Sequence, residues 1–96
     1  MKILHLTLKK KWFDEILEGI KNIEYREIKP YWTKRLFDEA GVPKYYDFIK
    51  FRNGYSNGAR EMKVEFKEVR IGILKEDVGG WKKGMKIYEI FLGKKI

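Results

Sequence analysis

Apolar and polar residues follow two different periods along the chain, and each period predicts a type of secondary structure. Alternating apolar and polar positions predict strands over residues 2–8, 22–28, 45–52, 61–74 and 85–93. Apolar residues at helical spacing predict helices over residues 10–18 and 31–40. The pattern therefore predicts an α+β fold whose two short helices lie near the N-terminal half.

Glycine and proline residues support the predicted ends of both helices. Gly19 follows the first helix, where a left-handed residue ends many helices. Pro30 precedes the second helix, and proline is favoured at the first helical position because its φ is already helical. Gly41 and Pro43 follow that helix and predict its end. Both helices are therefore expected to be short.

The predicted strand over residues 61–74 is long, and its alternation changes face along the way. Apolar residues up to Phe66 fall on one face, whereas those from Val69 onward follow a register shifted by one residue. An extra residue in one strand produces such a shift as a β-bulge, which bends the sheet. We therefore predict a bulge near residues 67–68 and a barrel-like sheet, because closure removes exposed edges in a small domain.

Length and composition limit both the fold and the chemistry. The 96 residues are expected to form one domain, 1–96, because a chain of this length has room for one hydrophobic core. The chain has no cysteine and a single histidine, His5, which removes disulfides, thiolate zinc sites and histidine-rich metal clusters. We therefore expect no metal and no cofactor.

The net charge favours an anionic partner. Lysine and arginine number 22 against 14 aspartate and glutamate residues, which gives a formal charge of +8. This balance favours RNA, DNA or a nucleotide, although a bias toward lysine for solubility gives the same charge. No stretch approaches the roughly 18 apolar residues of a membrane span, and the N-terminal ILHLTL is too short for a secretory signal. We expect a cytoplasmic monomer without a membrane partner.

The connection between the two helices carries an unusual set of charged side chains. Lys21 lies at the turn, and Glu24 and Arg26 share one face of the following strand. Ile23 and Tyr25 are then expected to face the core. Arg26 offers a planar fork to a phosphate or a base edge, held in place by Glu24, and Lys21 reaches the same space. The alternative interpretation is a surface ion pair beside a solvated lysine.

A second candidate surface interleaves rings and cations at the start of the second helix. Tyr31 and Trp32 are followed by Lys34 and Arg35. This mixture is typical of surfaces that bind single-stranded nucleic acid, where a stacked base contributes about 1–3 kcal/mol. The alternative for Trp32 is a place in the core, because Leu36 lies on the same face of the helix.

Two further groups complete the predicted site. One is a loop with two Asn-Gly pairs whose backbone can approach a ligand closely. Its candidate ligand-binding residues are Arg52, Asn53, Tyr55 and Ser56. Turn chemistry alone is the alternative explanation for this loop. The other group is Thr7 and Lys9, which end the first strand and are expected to rim the same cleft.

The segments described above also resemble a known family. The motif Gly19-x-Lys21-x-x-Glu24-x-Arg26, between a helix and an extended segment, resembles the N-terminal half of an ASCH domain. FRNGYSNGA and IYEIFLG resemble the mid-domain loop and last strand of that family, so the resemblance covers nearly the whole chain. It implies a PUA-like, mixed, bulged β-barrel of about five to six strands. It also implies a cleft beside the first helix that binds RNA or a nucleotide.

Some proteins of the family are enzymes. One small group hydrolyses the amide of N4-acetylcytidine with a Lys, a Thr and a Glu, and another is described as a ribonuclease. That Lys falls on Lys21, but the Thr falls on Glu24 and the Glu lies in a segment that this chain lacks. We therefore predict an RNA- or nucleotide-binding domain. The alternatives are an enzyme on RNA or a modified nucleoside, with Lys21 and Glu24 as catalytic residues, and a protein-interaction module.

Overall fold

The computed structural model describes residues 1–96 and contains five strands and two helices. In chain order they are β1 (Ile3–Leu8), α1 (Lys10–Leu17), β2 (Ile23–Arg26), α2 (Pro30–Leu36), β3 (Phe48–Asn53), β4 (Glu61–Ile73) and β5 (Lys86–Lys95). Neither helix has the length and apolar character needed to cross a membrane. The predicted α+β fold with two short helices is therefore confirmed.

The five strands form one mixed sheet that curls into a half-barrel. The strand order is β1-β3-β4-β5-β2, with β1 parallel to β3 and every other pair antiparallel. β1 and β2 are therefore the two edge strands and are not paired with each other. We call the gap between them the seam, because this is where the curled sheet stays open.

A hydrophobic cluster of 15 buried residues fills the half-barrel. β1 contributes Leu4, Leu6 and Leu8, and α1 contributes Phe13 and Ile16. The apolar spacing of α1 predicted this buried face, and Gly19 ends the helix region at φ +78, in the left-handed conformation expected of it. α1 therefore packs on the sheet beside the seam.

The second helix is shorter than the pattern predicted. α2 begins at Pro30 as expected, but it ends at Leu36 instead of continuing to residue 40. The carboxylate of Asp38 accepts hydrogen bonds from the N–H groups of Ala40 and Val42, both at 2.9 Å. This local turn competes with the helical bonds of the same residues, as short acidic side chains often do.

The predicted bulge in β4 is confirmed. The register between β4 and β5 shifts twice, between Val64 and Phe66 and again between Phe66 and Glu68. Both shifts lie close to the predicted position, and the bend lets Phe66 and Val69 stay buried on the same side of a curling strand. β3 begins at Phe48, later than predicted, and the rings of Tyr45 and Tyr46 pack against Phe66 instead.

The expected orientation of β2 is wrong. Ile23 and Tyr25 lie outside the core cluster and are only partly buried, whereas Glu24 is 5% exposed. The register explains the difference, because Glu24 is paired with Ile90, which is fully buried on the inner face of the sheet. The charged face of β2 therefore points into the half-barrel, next to the seam.

Candidate functional site

A cleft of about 770 Å³ lies at the seam. Its walls come from four places: the end of β1 with the start of α1, the strand β2, the loop after β3, and the turn that precedes β5. These segments are distant in the chain and meet only because β1 and β2 are the two edges of a curled sheet. We call this space the seam cleft.

Lys21 is placed in the seam cleft by the turn that follows α1. The N–H groups of Ile20 and Lys21 both donate to the carbonyl oxygen of Glu15, at 2.9 and 3.1 Å, so the turn folds back on the helix. The Lys21 ammonium lies 5.2 Å from the centre of the Trp12 ring and 4.9 Å from that of Tyr25. Two aromatic faces therefore hold this cation through cation–π contacts.

Three charged side chains form the most buried polar part of the cleft. Lys21 Nζ lies 3.4 Å from Glu24 Oε1, and Arg26 Nη2 lies 3.0 Å from Glu24 Oε2. The side chains of Lys21, Glu24 and Arg26 are 11%, 6% and 17% exposed. We call these three residues the floor cluster. Its two cations and one carboxylate leave a net charge of +1 in a poorly solvated place.

Arg26 also bridges the seam. Its Nη2 donates a hydrogen bond of 3.2 Å to the carbonyl oxygen of Thr7 on β1. The guanidinium carbon lies 5.0 Å from the centre of the Trp32 ring on α2. One side chain therefore ties both sheet edges and the second helix together. The alternative of a surface ion pair between Glu24 and Arg26 does not hold, because the two side chains are 6% and 17% exposed.

The loop after β3 forms part of the rim of the cleft. Its backbone is tied to β1 by a 3.1 Å hydrogen bond from the Gly54 N–H to the carbonyl oxygen of Leu8. Gly54 has φ +84, a conformation that favours glycine. The neighbouring Tyr55 is 88% exposed, so its ring stands at the cleft mouth with one face free for a planar group.

A tight turn before β5 supplies the remaining wall. Val78 and Trp81 exchange two backbone hydrogen bonds of 2.9 Å around Gly79 and Gly80. The indole N–H of Trp81 donates to Glu27 Oε1 at 2.9 Å. That bond, with a smaller contribution from Lys29, holds the pKa of Glu27 below its usual range. The anchored indole therefore keeps a fixed place in the cleft wall.

Two of the aromatic residues in the wall were not anticipated as site residues. Trp12 was predicted only as part of the helix over residues 10–18, and its ring both packs against the core and lines the cleft at the start of α1. Tyr25 lines it as well, and burial, assisted by the charges of Glu89, Glu76 and Glu24, raises the pKa of its phenol. Tyr25 therefore remains a neutral hydrogen-bonding side chain well above neutral pH.

The structure brings most of the predicted site residues to one place. The seam cleft is lined by Thr7, Lys9, Lys21, Glu24, Arg26, Asn53 and Tyr55. These residues come from separate predicted groups, namely the end of β1, the charged connection and the Asn-Gly loop. The hypothesis that the three groups share a cleft is therefore consistent with the geometry.

Four predicted residues lie outside the cleft lining. Trp32 packs against the core, and its ring contacts the guanidinium of Arg26. It therefore helps to position a cleft residue without lining the cleft itself. Arg52 donates to the carbonyl oxygen of Ser56 at 2.6 Å, which ties the Asn-Gly loop together. Tyr31 is 55% exposed on α2 and carries the guanidinium of Arg35 on its ring. These residues act as supports or form a separate surface.

The sequence analysis missed the turn before β5 altogether. Val78, Gly79, Gly80 and Trp81 all line the cleft, although the pattern marked their segment only as a loop. Two adjacent glycines followed by a tryptophan were the available signal, because an indole in a glycine-rich turn has little core around it. No sequence pattern indicated that Trp81 would bond to Glu27.

The donor set of the cleft does not resemble a metal site. The structure contains no group of three or more His, Cys, Asp or Glu side chains that could hold a metal ion.

Comparison of the chain with protein-family models, curated proteins and solved structures gives no match. The chemistry available in the cleft is therefore that of its own lining residues.

Proposed function

We propose that the seam cleft binds RNA or a nucleotide. The observation that carries the proposal is the floor cluster, in which a buried Glu24 holds Lys21 and Arg26 beneath aromatic walls. A cleft of about 770 Å³ is within the range of small-molecule sites and accommodates a nucleotide. Flat rings suit the faces of a base, and fixed cations suit its phosphate or its polar edge.

The charges around the cleft support an anionic ligand. Its charged lining residues are Lys9, Lys10, Lys21 and Arg26 against the single carboxylate of Glu24, which gives four positive charges and one negative. Lys9 and Lys10 are exposed at the mouth, whereas Lys21 and Arg26 are buried deeper. The mouth thus offers phosphates the exposed Lys9, together with Lys10 beside its partner Asp14 at 2.7 Å, and the deeper part offers fixed groups for a base.

The geometry favours binding over catalysis. A lysine acting as nucleophile or general base needs a lone pair directed at the substrate, whereas the nitrogen of Lys21 lies in an ion pair with Glu24 at 3.4 Å. Glu24 is the only carboxylate in the lining, and both of its oxygens lie beside a cation. A hydrolase with Lys21 and Glu24 as its catalytic pair is the second candidate function, because the two side chains do meet in the cleft.

We further propose that the chain is an ASCH-type, PUA-like domain. The proposal rests on the Gly19-x-Lys21-x-x-Glu24-x-Arg26 motif and on a half-barrel whose cleft lies beside α1. The motif residues have a physical role that does not depend on the family. Gly19 permits the turn, and the three charged residues form the floor cluster.

Salt titration of RNA binding tests the proposed function. Affinity for a labelled single-stranded RNA of mixed sequence should fall steeply as salt rises, because bound phosphates release counterions. Replacing both Lys9 and Lys10 with alanine should lower the slope of log K against log salt by up to about 1.4, because each phosphate contact to a single strand contributes about 0.7. A matched variant replaces the exposed Lys94 and Lys95 instead and should keep the wild-type slope. Equal slopes in both variants would remove the cleft from the binding surface.

A further inference from the structure

The second half of β4 has an uncovered edge, although β4 lies in the middle of the sheet. β3 is paired with β4 only over residues 61–65, whereas β5 continues beside β4 as far as Ile73. From residue 67 to residue 73, β4 therefore has a strand neighbour on one side only. This partial edge is additional to β1 and β2, which are the outer strands of the sheet.

The register with β5 shows which backbone groups point to the open side of β4. The Leu74 N–H donates to the carbonyl oxygen of Met85 at 3.0 Å, in the same register as the pairs before it. Because backbone groups alternate sides along a strand, every second residue before Leu74 also faces β5. The residues between them point their N–H and C=O groups to the open side, and these are Val69, Ile71 and Ile73. We call these three residues the β4 edge.

The β4 edge is not protected in the ways that usually block an open strand. No hydrogen bond from another segment reaches the backbone of its three residues. The edge contains neither lysine nor proline, which commonly prevent pairing at exposed strands. Ile71 and Ile73 are 56% and 58% exposed, so apolar side chains lie uncovered beside the free backbone groups. The edge is therefore suited to receive a further strand.

We propose that two copies of this chain form a dimer by pairing their β4 edges in antiparallel orientation. A twofold axis at Ile71 places this residue opposite its own copy and Val69 opposite Ile73. All three edge residues then exchange backbone hydrogen bonds with the second copy, and their apolar side chains meet on one face. An axis at Arg70 would instead place two guanidinium groups opposite each other. The sequence-based expectation of a monomer took no account of this edge.

Glu89 on β5 supplies a charge that complements the second copy. Its side chain is 18% exposed, and Arg70 Nε lies 3.8 Å from its Oε1, which is too long for a hydrogen bond. A Cβ atom at Gly72 would lie 2.3 Å from the same oxygen, so the carboxylate lies over the glycine backbone. In the proposed register Gly72 faces Arg70 of the second copy. That guanidinium reaches the Glu89 carboxylate across the glycine and gives it a charge-assisted hydrogen bond.

The net charge of the chain permits this contact at physiological salt. Each copy carries a formal charge of +8, but charges separated by more than about 8 Å are largely screened there. Residues 68–73 carry one glutamate and one arginine, so the paired segment itself has no net charge. The contact is small, and we expect a dissociation constant of about 10–100 µM.

Sedimentation equilibrium at physiological salt tests the dimer. From about 5 to 500 µM, the mean mass should rise from that of one chain toward that of two. Ile71→Lys places like charges opposite each other at the axis and should raise the dissociation constant at least about tenfold. Val42→Lys, at a residue that is 55% exposed and outside the edge, should keep the wild-type value. A monomer at every concentration, or a dimer that persists unchanged in Ile71→Lys, overturns the inference.

A mixing experiment tests the position of the axis. Ile71→Glu alone should be as monomeric as Ile71→Lys alone, because each variant opposes its own charge. An equimolar mixture of the two should recover a dimer within about threefold of the wild-type affinity, because opposite charges then meet. Circular dichroism checks that both variants are folded. A mixture that stays monomeric overturns the proposed register.

Amide hydrogen exchange of the unmodified protein gives an independent measurement. The N–H groups of the β4 edge should exchange quickly at about 5 µM and be protected at about 500 µM, where the dimer forms. Protection that does not depend on concentration overturns the inference. Because no residue of the β4 edge lines the seam cleft, these outcomes are independent of the proposed binding of RNA or a nucleotide.

Discussion

Four arginines in this protein place a guanidinium on an aromatic ring, and the surroundings of two of them, Arg26 and Arg35, differ in almost every other respect. Arg26 lies 5.0 Å from the Trp32 ring, is 17% exposed, and donates to Thr7, 19 positions away in the chain. Arg35 lies 3.5 Å from the Tyr31 ring and is exposed. Its guanidinium donates to the carbonyl oxygen of Tyr31, only four positions away.

The comparison shows which combinations of aromatic rings and cations form a binding site. A contact within four residues on a helix surface forms whenever the helix forms, and it leaves the groups solvated. A contact that joins β1, β2 and α2 forms only in the complete fold, and it holds its charges where water is scarce. We therefore expect changes at Arg26 and its partners to have large effects and changes at Arg35 to have small ones.

The largest effect should follow removal of the carboxylate between the two buried cations. Glu24→Ala leaves Lys21 and Arg26 without their shared partner, so the free energy of unfolding should fall by about 3 kcal/mol. Glu68→Ala, at a carboxylate 58% exposed and 3.8 Å from Arg70, should change it by less than about 0.5 kcal/mol. Urea denaturation measures both values. A similar small change in the two variants would remove the distinction between buried and exposed charge pairs.

The two arginines themselves provide the next comparison. Arg26→Ala should weaken binding of single-stranded RNA by about 10- to 100-fold, because it removes a fixed charge-assisted donor from the cleft. Arg35→Ala should weaken the same binding by less than about threefold, since an exposed cation contributes only part of one phosphate contact. Fluorescence anisotropy titrations at one salt concentration measure both. Equal losses would mean that the α2 surface binds RNA as strongly as the cleft.

A smaller effect is expected when a floor cation is exchanged without loss of charge. Lys21→Arg keeps the positive charge and the donors but removes a group that can act as a neutral amine. Binding should weaken only a few-fold, and neither protein should turn over RNA or N4-acetylcytidine. Chromatographic assay of both substrates checks this expectation. Turnover by the wild-type protein that disappears in Lys21→Arg would support the hydrolase instead.

The smallest effect concerns the long-range bond between Trp81 and Glu27. The pKa of Glu27 is lowered in the fold, so its contribution to stability is present above the ordinary glutamate pKa and is lost as pH falls through the lowered value. Tryptophan emission should therefore change slightly below about pH 4.5. Glu27→Gln keeps an acceptor for the indole N–H at every pH, and its emission should stay constant over this range.

Asp14 supplies a local control for that pH experiment. Hydrogen bonds from Lys10, four residues away, and from Arg60 lower the pKa of Asp14 as well. Asp14→Asn removes the charged acceptor of these two hydrogen bonds on the surface of α1 but leaves the hydrogen bond between Trp81 and Glu27 intact. The low-pH change in emission should therefore persist in Asp14→Asn. Its disappearance would assign the change to α1 rather than to the cleft wall.

Features of the fold that depend on local chemistry were predictable from the sequence. The apolar–polar alternation predicted all five strands, and its shift by one residue before Val69 predicted the bulge in β4. Gly19 and Pro30 marked the end of α1 and the beginning of α2 for conformational reasons that hold in any fold. Asp38, whose side chain ends α2 early, was also visible in the sequence and was overlooked.

Features that depend on strand order were not predictable from one sequence. The alternation in β2 could not show which face would meet the core, because its partner β5 lies 60 or more residues further along the chain. The usual rule that apolar residues face inward therefore gave the wrong face for Glu24. The place of Trp81 in the cleft depends on the same pairing, since β5 brings the preceding turn beside β2.

The open seam has a consequence for amide hydrogen exchange. The Leu8 carbonyl accepts from Gly54, directly after β3, and the Asn22 carbonyl accepts from Leu92 on β5. Because backbone groups alternate sides along a strand, those of Thr7 and Tyr25 face the seam and have no strand partner. Their amide hydrogens should exchange quickly with solvent while those of neighbouring residues are protected within the sheet. A ligand that enters the seam and hydrogen-bonds its backbone slows exchange at these positions.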